Sequence, residues 1–182
     1  MQLDFKELLL QILHRKEIIG MPILKTRLIK LAYLVEVEFY RSFRTRISNT
    51  EWVYYKYGPY VHSYDSILIE REFEWEASGQ DDEYSIIKPR FSDSNVCLEN
   101  RVNTIINRVV NKYGRLDLPS LLDHVYFNTE PMMYVTDINA SLDFSLVLHK
   151  NAYSDKSGII PESRLRGIKD DLRGRLANVR KL

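Results

Sequence analysis

The chain has 182 residues, 45% of them hydrophobic, with 26 Lys plus Arg against 25 Asp plus Glu, a formal net charge of +1. That length can bury roughly 70% of the surface its unfolded chain exposes, which excludes a disordered protein, and the balanced charge excludes a whole-protein field that draws it to nucleic acid or to an anionic membrane. A single cysteine, Cys97, excludes an intramolecular disulfide, and no apolar run is long enough to cross a bilayer, so the expected location is the cytoplasm.

In chain order, Leu3 to His14 reads as a first helix, with Leu8, Leu9, Ile12 and Leu13 at helical spacing and Phe5 on the same side. Gly20 and Pro22 punctuate the chain, and Pro22 suits the first position of a second helix running to about Arg41. Its apolar stripe is Leu24, Leu28, Leu31, Ala32, Val35 and Phe39, with Lys25, Arg27, Lys30, Glu36 and Glu38 mostly elsewhere. Glu51 to Tyr57 is aromatic and β-branched and predicts a strand, ended by Gly58-Pro59. Pro59 then predicts the start of a third helix, on which Val61, Tyr64 and Leu68 recur.

Phe73–Glu76 and Tyr84–Pro89, joined by the turn Ser78–Asp82, read as strands that form one small antiparallel sheet with Trp52–Tyr57. Ser92 to Asn95 offers an N-cap for a helix whose face is Leu98, Val102, Ile105, Ile106, Val109 and Tyr113, with Gly114 as a left-handed C-terminal cap. Asp117 caps a shorter helix from Leu118 to Phe127, with Leu121, Leu122 and Val125 inward, and Pro131 ends this region. Leu142, Phe144, Leu146 and Leu148 suggest a strand or an extended docking segment. Ser154–Gly158 reads as a linker before a basic, helix-competent tail from Glu162 to Leu182. The expected fold class is α+β, mainly α: a helical core with a small antiparallel sheet, as residues 1–135, followed by an extension over 136–182 that carries the basic tail.

The chemistry-bearing residues are sparse. His14, His62, His124 and His149 are scattered and Cys97 is alone, so no Cys/His spacing for a metal exists. His62 and Asp65 are three apart in a helical reading, beside Ser63 and Ser66, but no nucleophile elbow or phosphate loop accompanies them. No catalytic residue and no cofactor follows. Trp52, Tyr54, Tyr55, Tyr57 and Tyr60 are the strongest binding-surface signal, because Trp and Tyr give large contact area at low entropy cost; strand alternation sends one set to the core and leaves the other for a partner. Arg41, Arg44 and Arg46 form a basic stretch at the end of the second helix, readable either as a phosphate contact or as a solvated helix terminus.

Lys30-Leu31-Ala32-Tyr33-Leu34 on a helix, Trp52 leading into Tyr57-Gly58-Pro59, and a following Tyr64 occur here in the order seen in the SocA-like, or Panacea, antitoxin domain of bacterial and phage type II toxin–antitoxin systems, and the chain resembles that family. Tyr113-Gly114, the Leu-rich segment Leu118–His124 and Glu130-Pro131-Met132 extend the likeness over roughly residues 5–135, although Met132 stands where the family often has Trp and Tyr60 intervenes where Val commonly follows Gly-Pro. The resemblance implies a non-catalytic antitoxin that binds a cognate protein toxin, encoded by an adjacent gene. A proteolytic adaptor that hands the toxin to a protease is one alternative, and a regulator that binds nucleic acid through the basic tail is another. Tyr55, Tyr57, Tyr60, Arg44 and Arg46 are the expected partner anchors, with no membrane involvement.

Overall fold

The computed structural model describes residues 2–15, 23–76, 85–90 and 98–148. The expected helix start at Pro22, the turn Ser78–Asp82, Tyr84, the Ser92–Asn95 cap, Cys97, His149, the linker and the basic tail lie outside them. The described residues form a mainly helical α+β fold of six α-helices and two separate two-stranded antiparallel sheets. In chain order these are α1 (Phe5–Leu13), α2 (Lys25–Phe43), β1 (Val53–Tyr55), β2 (Gly58–Tyr60), α3 (Tyr64–Leu68), β3 (Phe73–Glu76), β4 (Ile86–Pro89), α4 (Asn100–Tyr113), α5 (Leu118–Phe127) and α6 (Glu130–Tyr134). A 3-10 turn follows at Phe144–Leu146.

Helix α2 is the axis of the fold and packs against α1, α4, α5, β2 and β4. Its expected apolar stripe is buried except for Leu24, which is half-buried at the N-cap, but every other position from Arg27 to Phe39 is buried as well. Arg27, Lys30, Glu36 and Glu38 are therefore inside and not on a solvated face, which corrects the amphipathic reading. A buried charge is tolerated only when hydrogen-bonded, and these are. The Arg27 guanidinium donates to the carbonyls of Gly114 (3.0 Å) and Leu116 (2.5 Å) at the end of α4. Glu36 accepts from Arg46 Nε at 2.9 Å, from the Ser48 hydroxyl and from the Ile47 N–H. Glu38 pairs with Arg41, which also reaches Glu130 at 2.7 Å.

Helices α1, α4 and α5 follow the predicted faces: Leu8, Leu9, Ile12 and Leu13 meet Val102, Ile105, Ile106, Val109, Leu121 and Val125 in one core. Asp117 caps α5 by accepting from the Ser120 N–H at 2.7 Å, with Pro119 in the first turn. Gly114 is not left-handed, with φ −63°. Its carbonyl is bonded by Arg27, so the helix end is satisfied without that cap. The left-handed helix cap is instead Arg44, at φ 55° after α2. Pro131 does not end the region but sits in the first turn of α6.

The predicted pairing of Phe73–Glu76 with the returning strand is present, with Phe73 opposite Pro89 and Trp75 opposite Ile87. Its expected union with Trp52–Tyr57 is absent because the relevant edges are occupied. Residues 139–142 cover β1 through bonds from Tyr54 N–H to Ala140 (2.9 Å), Asn139 N–H to Tyr54 (2.7 Å) and Leu142 N–H to Trp52 (2.8 Å). Ile23 and Lys25 bond to Ile87 and Ser85 beside β4. The segment from Leu142 is no strand: Leu142, Phe144 and Val147 enter the core, whereas Leu146 and Leu148 stay outside.

His124, on α5, lies with its ring 4.5 Å from that of Tyr113. Burial first, then the positive charge of Lys112, lowers its imidazole from the ordinary 6.5 to about 4. Glu38 acts in the opposite direction and Arg41 in the same one. The folded state thus resists protonation while the unfolded chain accepts it. This contribution to stability is intact above pH 6.5 and falls as pH drops from about 6.5 towards 4. Urea unfolding across that window is expected to be less pH-dependent in His124→Gln than in the parent; equal slopes would contradict the assignment.

Candidate functional site

Strand β1 turns at Lys56-Tyr57 and returns as β2, with Tyr55 opposite Gly58, Tyr54 opposite Pro59 and Val53 opposite Tyr60. Gly58-Pro59 therefore lies within a hairpin and does not start a helix; α3 begins at Tyr64. The physical reason is twofold. Gly58 has φ +97°, a left-handed backbone that lets the chain reverse after a tight turn. Pro59, which has no N–H to donate, is compatible with an edge strand.

The hairpin is locked to α2 from beneath. Lys30, 2% exposed, donates from Nζ to the Pro59 carbonyl at 3.0 Å. A Cβ on Gly58 would stand 3.3 Å from the Tyr126 ring edge and 3.4 Å from Lys30 Nζ, so three elements converge on one glycine. Trp52 is fully enclosed, with its ring edge-on to Tyr33 at 5.5 Å and to Phe5 at 5.6 Å. The Tyr33 hydroxyl shares a 2.9 Å hydrogen bond with Thr129 Oγ1. Tyr64 is buried and donates to the Lys25 carbonyl at 2.7 Å. Lys30, Leu31, Tyr33, Trp52, Gly58, Pro59 and Tyr64 are thus all interior and act together as the scaffold of the hairpin.

What this scaffold leaves outside is a tyrosine-walled cleft of about 140 Å³ between the hairpin and the first turns of α2. Tyr55, 41% exposed, stacks on Tyr60 with centroids 5.3 Å apart and planes at 30°. Tyr57, half-buried, and Gly58 complete that wall. Lys25, Thr26, Ile29 and Lys30 form the opposite wall. Asp65 closes one end: its carboxylate is 2.6 Å from Lys25 Nζ and accepts from the Tyr60 hydroxyl at 2.5 Å. Partial burial works against the Asp65 carboxylate, but the Lys25 and Tyr60 hydrogen bonds outweigh it and hold its pKa below the ordinary value. Burial first, and then Asp65, raises the Tyr60 phenol well above its usual range, so it remains a donor at neutral pH.

The predicted residues divide into two groups. Tyr55, Tyr57 and Tyr60 are brought together in this cleft. Arg44 and Arg46 are not; they pack around the C-terminal half of α2. Arg46 pairs with Glu36, donates to the Thr50 carbonyl at 2.8 Å and lies 3.9 Å over the Phe144 ring. Arg44 lies over Tyr40 and donates to the Val147 carbonyl. His62 and Asp65 are separated in role: His62 is exposed in the turn before α3 and lines a different cavity with Asp4 and Glu51, while Asp65 is committed to Lys25 and Tyr60. Among the described residues no His, Cys, Asp and Glu cluster could hold a metal ion.

Sequence reading missed Lys25, Thr26, Ile29 and the role of Asp65. The pairs Lys25–Ile29 and Thr26–Lys30 are four apart and share one helix surface, which is a usable signal. Asp65 has none, because its partner lies forty residues away on another element.

Gly58→Ala forces a side chain into a left-handed backbone against Tyr126 and Lys30, and is expected to cost about 1–3 kcal/mol. A lowered urea midpoint at unchanged slope is the expected readout; an unaltered midpoint would show that the close approach carries no weight.

The chain matches no curated protein and no solved structure. A family model described as "Antitoxin SocA-like, Panacea domain" matches residues 28–130, more than half of the chain, and the match takes in most of α2, the whole hairpin, α4 and α5. The elements that build the cleft are therefore largely those the family is defined on, and this chain belongs to the SocA-like antitoxin, Panacea-domain family.

Proposed function

We propose that this protein is a non-enzymatic antitoxin that acts in the cytoplasm by binding a cognate protein toxin directly, with the face around Tyr55, Tyr57 and Tyr60 as the contact surface. The observation that carries the reading is the division of labour in the hairpin: the family-motif residues are interior, and three tyrosines stand at the surface on a backbone fixed by Lys30 and Gly58. Rigid aromatic side chains lose little entropy on binding and supply most of the energy at protein interfaces. Arg44 and Arg46 enter the proposal as supports, since Arg44 bonds the Val147 carbonyl and Arg46 links Glu36 of α2 to the Phe144 ring. Asp65 is bonded to Lys25 and Tyr60 while His62 lines a different cavity, an arrangement in keeping with the non-enzymatic reading.

The toxin is proposed to be the product of an adjacent gene. Co-expression of the two proteins is expected to restore growth, and a tag on either partner to recover both. Tyr55→Ala with Tyr57→Ala should weaken the complex by about thirtyfold or more, the loss of one interface hot spot, while the far-ultraviolet circular dichroism stays that of the parent. Rescue without a complex, with toxin levels falling, would replace neutralisation with delivery to a protease. Binding that the double variant leaves unchanged would move the contact surface elsewhere.

A further inference from the structure

We infer that the outer face of α4 binds the phosphate backbone of duplex DNA. Residues 100–116 contain four basic residues, Arg101, Arg108, Lys112 and Arg115, and no acidic one. All four are exposed, while the apolar side of the same helix is buried. The balanced charge of the whole chain thus conceals a local excess. Arg101 and Arg108 are two turns apart, roughly 10 Å along the axis, and Lys112 stands one turn further on. The carboxylates nearest in sequence lie at the two ends: Glu99 pairs with Arg101 at 2.6 Å, and Asp117 caps α5. Neither pairs with Arg108 or Lys112. Arg108 has no ion pair or hydrogen bond among the described residues. Lys112 lies 4.7 Å over the Tyr113 ring, a contact that leaves its charge in place.

Arg15, just after α1, adds a further charge on the flank of this ridge. Its guanidinium donates to Asn107 Oδ1 at 2.6 Å, to Gln11 Oε1 at 3.1 Å and to Asn103 Oδ1, all neutral acceptors. Burial lowers its pKa, and no carboxylate among the described residues acts against that. An excess of cations selects a polyanion, and the make-up of the face selects which one. A protein interface is built around aromatic or apolar anchors. None of the large hydrophobic side chains exposed among the described residues is on α4. Single strands are held by bases stacked on aromatic rings, which the face lacks for the same reason. The major groove of B-form DNA admits an α-helix between its phosphate rows, whereas that of an A-form RNA duplex is too narrow. A phosphate contact asks only for a cation or an N–H donor, so the binding is independent of sequence.

The test is fluorescence anisotropy of a labelled DNA duplex of mixed sequence, titrated with the full chain over a range of salt concentrations. No toxin is present, so the result is independent of the neutralisation reading. The parent should bind with a dissociation constant of roughly 10⁻⁶ to 10⁻⁴ M near physiological salt, with a log–log salt slope of roughly −3 for three or four neutralised phosphates. Arg108→Gln combined with Lys112→Gln should weaken binding about tenfold at low salt and make the slope shallower by about 2. Both side chains are exposed, so the far-ultraviolet circular dichroism should stay that of the parent. Arg173→Gln with Arg175→Gln, in the basic tail, is the comparison variant. Binding lost in the tail variant but kept in the α4 variant overturns the inference, as does a parent chain that leaves the duplex unbound at low salt. Tighter binding of single-stranded DNA or of an RNA duplex of the same length overturns it too. An α4 variant that keeps the DNA and loses the toxin would assign the face to an acidic protein surface instead.

Discussion

The ammonium group of Lys30 sits inside the protein, 3.0 Å from the carbonyl of Pro59, and the geometry of the site depends on that contact. A helix that packs on all sides has no wet face for its charges, so each must find a partner from a distant part of the chain. For α2 those partners are the elements that surround it. Arg27 terminates α4, Glu36 gathers the loop after α2 through Ser48 and Arg46, and Lys30 holds the hairpin. Removing one partner of such a contact leaves the other buried and unsatisfied, which typically costs about 1–3 kcal/mol. The charges therefore specify how the fold is assembled more than they add to its stability.

The hairpin inherits this rigidity. With Trp52 enclosed by Tyr33 and Phe5 below, Gly58 against Tyr126, and residues 139–142 along the outer edge of β1, its backbone has little freedom. Three surface tyrosines on so constrained a support resemble a preorganised recognition surface, in which the ordering cost is met at folding and not at binding. That is the role proposed here for Tyr55, Tyr57 and Tyr60.

Much of the fold was legible because local patterns and tertiary structure agreed. Leu8, Leu9, Ile12 and Leu13 on α1, the Val102–Tyr113 face of α4, and Asp117 with Pro119 at the start of α5 each depend on neighbours within a turn or two. The errors arose where a distant residue decided the outcome. Gly114 needs no left-handed cap because Arg27, from another helix, bonds its carbonyl. Pro59 has the credentials of a helix start, yet Gly58 at φ +97° and the Lys30 contact place it in a strand. The two hairpins fail to merge because Ala140 and Ile23 occupy the edges they would share. The candidate site shows the same division. Its tyrosines were visible as an aromatic cluster, but Arg44 and Arg46 were separated from them by internal partners, and the Lys25–Asp65 pair exists only in three dimensions.

Hydrogen–deuterium exchange on the full chain, alone and with the proposed toxin partner, tests the central claim most directly. The account predicts added protection concentrated in residues 53–60 and at the neighbouring first turns of α2 and α3, with the core of α4 unchanged. Protection confined to the residues after Val147, or to the cavity around His62, with the hairpin unaffected, would contradict it.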